Sequence, residues 1–589
     1  MKYRGLTPPS SNQTLGDFPS LLQRIYYHRG IRSPDELDRK LSGLLAPTGL
    51  KGLPESLVLL HSVMAAQKKI MIIGDFDADG ATSTALALLG LSAMGAKNID
   101  YLVPDRFKFG YGLSPEIVEV AAEQGAELIM TVDNGISSVD GVDAAKQLGI
   151  QVLVTDHHLP GEKIPAADAI LNPNQSGCGF TSKNLAGVGV VFYLLIALRS
   201  HLRGLDWFEQ KALAVPNLAD YLDLVALGTV ADVVPLDFNN RIMVFQGLQR
   251  IRAGKCRPGI QALLSIGQRD SSYIVAGDLG FTVGPRINAA GRLDSMSLGI
   301  ECLLANDPDV AMALAEELDT LNRERRVIEG GMKEKAIHAL EKFQLGKSSQ
   351  MPWGLSLFHV DWHQGVIGIV ASRIKELHHR PVVAFAPAED NVSRGGNSLA
   401  DNAELKGSAR SIPGFHIRDA LEAISTKYPG LILKFGGHAM AAGLSILAKD
   451  LNAFTDAFDQ QVRQKLKSED LNAELLSDGE LEAREISLEY AELLRNHGPW
   501  GQGFPEPLFD GQFEILQQRI VGEKHLKFVL SHPESNSIFD AIAFNIDIQR
   551  WPTSEKYVQL VYRLDVNAYR GQRSVQLMVQ YMEPLTAIG

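Results

Sequence analysis

Three aspartates alternate in Ile70-Met-Ile-Ile-Gly-Asp75-Phe-Asp77-Ala-Asp79-Gly80, and Asp156-His157-His158 follows a second apolar run, Val152-Leu-Val-Thr155. A strand that ends in several carboxylates is electrostatically costly, because crowded like charges repel and each prefers water unless something positive neutralises it. A divalent cation is the simplest neutraliser. The same Asp-x-Asp-x-Asp-Gly pattern opens helix-loop-helix calcium sites, but those need a bidentate Glu at the twelfth position, which here is Leu86. An Asp-rich turn is the plainer reading of one such cluster alone, since Asp and Gly favour turns.

Four clusters at comparable places change that reading. His157 and His158 add imidazole to carboxylate, a mixture suited to Mn²⁺, Fe²⁺ or Zn²⁺ rather than to an all-oxygen calcium site. Asp133, in Thr131-Val-Asp-Asn-Gly-Ile136, is a candidate bridge between two cations, which in phosphoryl chemistry lie about 3.5–4 Å apart. Asp232, in Gly228-Thr-Val-Ala-Asp-Val-Val-Pro-Leu236, completes the set, either as a ligand or as an ordinary helix-end Asp; Asp223 in Tyr221-Leu-Asp competes for the same place.

These residues must be positioned by the elements that precede them. From Lys69 to about Val234, the short apolar runs at Ile70, Leu128, Val152 and Ala169 alternate with helical stretches, which predicts a parallel sheet covered by helices. In such sheets ligands bind beyond the carboxyl ends of the strands, so acidic residues distant in sequence converge there. Between Asp307 and Phe343, apolar residues at Val310, Leu314, Leu318, Leu321 and Ile328 predict a long connector helix, with Gly330-Gly331 marking a kink or a join. A second, smaller α/β region follows from Trp353 to Leu447, with Pro381-Val-Val-Ala-Phe385 as a strand and Gly436-Gly437 read as a turn. Beyond about Arg495, short β runs at Phe513, Leu526, Ala541, Val558 and Val575 predict a small closed barrel or sandwich.

The chain has 589 residues, 45% of them hydrophobic and 21% charged, enough for three or four domains. Its longest apolar run, Ala186 to Leu198, is too short to span a bilayer and reads as a core helix, so no membrane association is expected. No apolar leader follows Met1, and the cysteines Cys178, Cys256 and Cys302 are odd in number and scattered, which points to a reducing cytoplasm. With 57 Lys plus Arg against 69 Asp plus Glu, the net charge of −12 excludes a global positive field that draws nucleic acid. Local basic grooves and bound cations remain compatible with it.

Taken together, Asp75-x-Asp77-x-Asp79, Asp133-Asn-Gly, Asp156-His-His and Gly228-Thr-Val-Ala-Asp232 resemble the four motifs of the DHH phosphoesterase superfamily. Within it, Gly74 to Thr84 resembles most closely the RecJ single-strand-specific exonucleases. Gly284-Pro-Arg-Ile-Asn-Ala-Ala-Gly-Arg-Leu293, Trp362 to Arg373 and Gly436-Gly-His-Ala-Met-Ala-Ala-Gly443 are similar to the family's linker motif and its attached DHHA1 domain. Where the family carries Gly-Ser-Gly-Arg-Ser, this chain has Gly407-Ser-Ala-Arg-Ser411, a mild change if that position keeps negative φ.

The resemblance implies an α/β fold: a parallel-sheet DHH domain joined by a long helix to a smaller α/β DHHA1 domain, plus a C-terminal all-β OB-like barrel. We expect an N-terminal extension at 1–50, the DHH domain at 51–305, the connector at 306–345, DHHA1 at 346–450, and the barrel with a leading helical segment at 451–589. It also implies a monomeric, two-metal (Mn²⁺ or Mg²⁺) 5′-to-3′ exonuclease that releases 5′-mononucleotides from single-stranded DNA in repair and recombination. A single-strand-binding protein and a helicase are implied partners. Asp75, Asp77, Asp79, Asp133, His157 and Asp232 are the expected metal ligands; Asp156 and His158 join them as catalytic residues, His158 as a ligand or a phosphate contact. Arg106 and Tyr111, in Pro104-Asp-Arg-Phe-Lys-Phe-Gly-Tyr-Gly112, either offer a cation for a phosphate and a ring for a base or are an ordinary surface Arg and a core Tyr. Arg286, Asn288 and Arg292, set near Gly and Pro, are expected to present phosphate contacts, as are Arg373, Arg410, Gly436, Gly437 and His438 of the second domain. In the barrel, Phe528, Tyr562 and Tyr569 either stack on bases or fill the core, and from Arg519 onward eight cations face seven acids. A relative acting on short oligonucleotides or cyclic dinucleotides, and a non-catalytic DNA-binding scaffold, are the competing readings.

Overall fold

The computed structural model describes residues 2–3, 15–104, 112–345, 351–388, 400–535, 537–569 and 572–587. The chain forms two compact units, one from residues 1–287, 296–315 and 474–589, the other from 288–295 and 316–473. In the first unit, after the short strand β1 (Lys2–Tyr3), come β2 (Ile70–Ile73), β3 (Ile99–Leu102), β4 (Leu128–Val132), β5 (Gln151–Thr155) and β6 (Ala169–Leu171). They form one parallel sheet in the order β3-β2-β4-β5-β6. Every residue of β2 and β4 is buried, as near-continuous Ile, Leu, Val and Met runs require when helices cover both faces. Strand β3, Ile-Asp-Tyr-Leu, has no such run; it is the partly exposed edge, and its pattern does not reveal it in the sequence. The chain passes from β2 outward to β3 and returns on the other side with β4, so the strand order reverses between β2 and β4, where α/β sheets bind ligands.

The apolar run at 186–198 forms the buried helix Gly187–Gly204. Among the described residues no helix is long and apolar enough to cross a membrane. The connector is one unbroken helix of 38 residues, Pro308–Leu345, so Gly330-Gly331 is not a join between two helices. Each helical Gly costs only about 1 kcal/mol relative to Ala. Beyond the pair, Met332, Ala336 and Leu340 are buried in one core with Trp362, Val366 and Val370, and that packing outweighs the cost.

The second unit holds β7 (Leu355–Phe358), β8 (Val382–Pro387), β9 (Glu404–Arg410), β10 (Lys434–Gly437) and β11 (Ala441–Leu447), ordered β10-β11-β9-β8-β7. Gly436 and Gly437 end the exposed edge strand β10 rather than making a turn themselves; only Gly437, at φ +141°, needs a glycine's freedom. Ala409 lies in β9, outside the positive-φ residues, so its methyl is accommodated by ordinary extended backbone. The boundary expected at 450 falls ahead of the helix Leu451–Lys465. Its Phe454, Phe458 and Val462, at helical spacing, are buried in the core of this unit and not with the barrel.

The C-terminal strands β13 (Phe509–Val521), β14 (His525–Ser531), β15 (Ile538–Ala543), β16 (Tyr557–Tyr569) and β17 (Gln572–Leu585) close into a barrel, preceded by β12 (Leu476–Ser477), which pairs with β1. Phe528 and Tyr562 are fully buried and fill the barrel, while the side chain of Tyr569 lies outside the described residues. The N-terminal helix Ser20–His28 clasps the barrel's leading segment: buried Asp478 takes two hydrogen bonds from Arg29 (2.8 and 3.0 Å), one from the Leu508 amide (3.1 Å), and lies 3.1 Å from His28 Nδ1. Removing one partner of a buried pair strands the other charge. Asp478→Ala is therefore expected to lower the unfolding free energy by about 3–5 kcal/mol in urea titration; a change within about 0.5 kcal/mol, as at an exposed site, would refute the clasp.

Candidate metal centre

Each candidate side chain is delivered by the end of an element. Asp75 follows β2 and accepts from the Phe76 amide at 2.7 Å. Asp77 caps the helix Ala78–Ala93, its Oδ1 accepting from the amides of Asp79 (2.9 Å) and Gly80 (3.0 Å). Asp79, in the first turn of that helix, is buried and held by the amides of Gly187 (2.6 Å, to Oδ2) and Val188 (3.0 Å, to Oδ1), the opening residues of the helix Gly187–Gly204. A helix N-terminus carries partial positive charge and unused N–H donors, so it suits this buried carboxylate. Leu86, which removes the calcium-loop reading, is a buried residue in the body of the helix.

Asp133 follows β4 with φ +63°, a left-handed conformation that Asp tolerates better than most residues but that still stores strain. Next to it, buried Asn134 donates from Nδ2 to the Ile73 carbonyl (3.0 Å) and the Val132 carbonyl (2.9 Å). It thereby ties the ends of β2 and β4 together at the switch point. Asp156, after β5, accepts from the amides of Ile136 (2.9 Å), His157 (2.7 Å) and His158 (3.0 Å), and from His158 Nδ1 (2.7 Å). Those four bonds make it a positioning residue for the histidines rather than a ligand with oxygens to spare. After β6, Asn172 and Asn174 donate to the carbonyls of His158 (2.9 Å) and His157 (2.6 Å).

Asp232 caps the C-terminal end of the helix Leu222–Ala231. Its Oδ2 is buried without a hydrogen-bond donor among the described residues and lies 3.5 Å from His157 Nε2. That helix closes on Ala78–Ala93 because residue 228 is glycine: a Cβ there would lie 2.3 Å from Thr82 Oγ1 and 2.7 Å from Asp79 Oδ1. A Cβ on Gly187 would likewise lie 2.6 Å from that of Asp133. Asp223 lies apart in function, since its buried carboxylate accepts from the Leu224 (2.9 Å) and Arg257 (2.8 Å) amides and so closes a helix-loop junction.

The donor atoms fall into two separate triads, Asp75 with Asp77 and Asp133, and Asp79 with His157 and Asp232, each with its atoms within 4.8 Å of one another. Asp133 Oδ1 lies 3.1 Å from His157 Nε2 and so joins them. Asp133, His157 and His158 also form a triad of this kind. The carboxylate oxygens suit Mn²⁺ or Mg²⁺ while the imidazole suits a transition ion such as Mn²⁺, and the crowding of the acids demands positive charge. Burial and the charge of Asp77 push Asp79 up to about 7, despite its two amide donors. Burial, then Asp79, Asp77, Asp75 and Asp232, raise Asp133 well above the usual range. Asp232 is raised in the same way by burial, Asp79 and Asp77. Asp156 goes the other way: burial works against ionisation, but the hydrogen bond and charge of His158 hold it low. His158 is correspondingly pushed up to about 9, Asp156 outweighing the effect of its burial.

The remaining expected site residues are distributed as follows. Arg106 and Tyr111 lie outside the described residues. Arg286, Asn288 and Arg292, expected to present phosphate contacts, ride on the helix Gly284–Leu293; Arg286 is buried and donates to the Thr282 carbonyl at 2.6 Å. In the second unit, Arg292 donates to the Gly365 carbonyl (3.2 Å), and a Cβ on Gly368 would lie 2.7 Å from Arg410 Nη2. Arg410 pairs across the sheet with Ala441, whose carbonyl accepts from the His438 amide at 2.7 Å. Arg292 and Arg410 thus lie beside the start of the helix Ile367–His378, while His438 is bonded to the strand residue that pairs with Arg410. Arg373, on that helix, is engaged by Glu329 (3.0 Å) and Glu376 (3.2 Å). Asn134, Asn172, Asn174 and the Gly187-Val188 amides are the site residues that sequence reasoning misses. Asn172-Pro-Asn174 directly follows the fourth apolar run, the one signal that was available.

An open parallel sheet with acids and histidine converging at its switch point defines a metal-dependent phosphoesterase of the DHH class. Residues 69–229 match the DHH family, N-terminal domain; 351–464 match the DHHA1 domain, and 477–581 the RecJ OB domain. The single-stranded-DNA-specific exonuclease RecJ of Dickeya dadantii (strain 3937) is 55% identical over 579 residues, 98% of each chain. That of Escherichia coli (strain K12) is 53% identical over 570 residues, 97% of this chain and 96% of the relative. The crystal structure of RecJ in complex with Mn²⁺ from Thermus thermophilus matches with a TM-score of 0.78 at 29% identity, covering 100% of this chain and 80% of that one. A second structure from the same source holds Mg²⁺. The chain belongs to the RecJ family of single-stranded-DNA-specific exonucleases.

Two outcomes follow from this geometry. Asn134→Ala is expected to weaken Mn²⁺ binding about 10–100-fold by calorimetric titration, the usual cost of losing a residue that orients ligands; unchanged affinity would show that the strand ends need no tie. Raised carboxylates in the fold are neutral below the unfolded value near 4 and ionise late. The metal-free fold therefore loses stability as pH climbs from about 4 through about 7, the value of Asp79. The rise in Tm on adding Mn²⁺ is expected to be larger at pH 8 than at pH 5, and Asp133→Asn is expected to raise Tm in chelator while shrinking the Mn²⁺ increment. A pH-independent increment would contradict the crowding.

Proposed function

We propose that this chain degrades single-stranded DNA from the 5′ end and releases 5′-mononucleotides. The observation that carries the reading is the pair of donor triads joined through Asp133 and His157, a constellation with room for two divalent cations. Such cations, when bound, neutralise charge on the scissile phosphate and acidify an attacking water. The chain's own residues do the rest. Asp79 is fixed against the Gly187 and Val188 amides and Asp232 is set by the helix it terminates, so neither carboxylate needs to reorganise when substrate arrives. His158, its Nδ1 2.7 Å from Asp156 Oδ1, is oriented by that carboxylate to serve the reacting phosphate as a charged donor or a cation as a ligand. In the second unit, Arg292 and Arg410 beside a helix N-terminus make a natural seat for a backbone phosphate, with His438 as a further contact, and Gly436 and Gly437 on the exposed edge strand leave room for the strand to approach.

We assign the enzyme to repair and recombination. Unwinding must expose a strand before such an enzyme can act, which places a helicase and a single-strand-binding protein among its partners. The three cysteines are free, in keeping with the reducing cytoplasm, and we propose that it works there as a monomer.

With Mn²⁺ the purified chain is expected to consume a 5′-phosphorylated single strand to mononucleotides while sparing blunt duplex. Asp133→Ala is expected to lower the rate at least about a hundredfold and to reduce bound metal. An intact single strand, release beginning at the 3′ end, or a fully active Asp133→Ala protein would each defeat the reading.

A further inference from the structure

Four of the barrel's rings, Phe509, Phe513, Phe528 and Tyr562, are buried in its core, while Phe544 and Tyr581 are 49% and 44% exposed. Stacking on aromatic side chains is the usual sequence-tolerant way to hold a single strand. Elsewhere in the same unit, Phe281 is 82% exposed. It sits on a π-helical turn, Leu279–Val283, a conformation that is rare and concentrates at functional sites. The turn is packed against the end of the helix that carries Asp232: a Cβ on Gly280 would lie 3.2 Å from Val230 Cγ1, and one on Gly284 3.2 Å from Ala231 Cβ. Just past Asp232, the Leu236 amide donates to the Gln502 carbonyl at 2.7 Å, so the chain that leaves Asp232 is bonded to the segment before the barrel.

Phe281 opens onto a cleft of about 900 Å³ between this part of the catalytic segment and barrel strands β16 and β17. Tyr273 and five arginines line it with Phe281, and one of the five, Arg252, donates to the Ile274 carbonyl from Nε (2.9 Å) and Nη2 (2.7 Å). Arg269 pairs with Asp278 (3.2 Å), Arg495 with Asp565 (3.8 Å), Arg573 with Glu492 (2.8 Å) and Arg563 with Glu506. Arg573 also covers the Tyr273 ring, 5.0 Å from its centroid. Because four of the five cations are already matched by acids, the cleft carries little net charge and grips a polyanion only weakly through charge. Rings, paired guanidiniums and ample volume suit bases more than phosphates.

We propose that Phe281 is a stacking residue for the single-stranded substrate, holding a base of the strand in this cleft beyond the nucleotides that occupy the metal centre. The assignment rests on the reading of the chain as a single-strand exonuclease. Held by stacking more than by ion pairs, a strand can step through the cleft between cleavages, and its retention depends little on salt.

The test compares a 5′-phosphorylated 30-nucleotide strand with a 5′-phosphorylated dinucleotide, in Mn²⁺, for wild type, Phe281→Ala, Phe281→Leu and Phe281→Trp. In Phe281→Ala the ratio of KM for the long strand to KM for the dinucleotide is expected to rise about tenfold, the order of a lost base–aromatic stack, with little change when salt is doubled. Phe281→Trp is expected to restore the ratio and Phe281→Leu to leave it high. An unchanged ratio in Phe281→Ala overturns the proposal, whether the residue is an ordinary surface ring or a contact for a protein partner. Equal loss on both substrates overturns it in favour of a structural role beneath Asp232, and rescue by Leu in favour of plain apolar packing. Failure of the wild type to degrade the long strand would instead refute the exonuclease reading on which the proposal rests.

Discussion

The mutual repulsion of buried carboxylates is the constraint around which the first unit is arranged. Asp79 and Asp133 are buried and Asp232 is partly buried close to Asp75 and Asp77, and each is pushed toward its neutral form as a result. A fold that only sought stability would separate them. Here the close approach is enforced, by glycines at 187 and 228 where any side chain would collide with Asp133 or Asp79, and by the Asn134 side chain that locks two strand ends together. The stabilising partner that such crowding calls for is a divalent cation, and the fold holds the cluster ready at its own expense.

The contrast with the other buried acids of the same unit shows that the crowding is particular to this place. Asp156, Asp223 and Asp478 are equally removed from solvent, yet each is matched by donors: amides and His158 for Asp156, amides beside Arg257 for Asp223, and Arg29, His28 and an amide for Asp478. Asp156 is even held below its ordinary value. Burial alone therefore does not mark the functional acids. What separates them is whether protein groups already satisfy the carboxylate or whether other carboxylates surround it.

The barrel shows how composition and three-dimensional placement divide a task. Its strand sequences supply rings in abundance, but closure turns Phe509, Phe513, Phe528 and Tyr562 inward, as the alternation of a small closed barrel demands. The barrel's contribution to a ligand surface then comes from its outer positions on β16 and β17, which complete a cleft with residues more than two hundred positions earlier. Neither half of that cleft stands out alone in the sequence.

Much of the architecture is legible in the sequence, because apolar runs of strand length that end in acids have few physical readings. Strands β2, β4, β5 and β6, the buried helix after residue 186, the long connector and the five barrel strands all follow from periodicity. What periodicity misses is physical in origin. Strand β3 is a half-exposed edge with no apolar run, Gly330-Gly331 stays helical because Met332, Ala336 and Leu340 are packed beyond it, and the helix Leu451–Lys465 joins the core that its Phe454 and Phe458 reach. At the site, residue type and spacing by themselves determine that Asp75, Asp77, Asp79, Asp133 and the two histidines can do metal chemistry, since that depends on ionisable groups following strands. Only the tertiary structure decides that Asp232 rather than Asp223 faces His157, that Asp156 is consumed in orienting His158, and that Asn134, Asn172 and Asn174 fix the backbone beneath them. Those outcomes depend on which donors lie within about 3 Å, a quantity set by chain segments far apart in sequence.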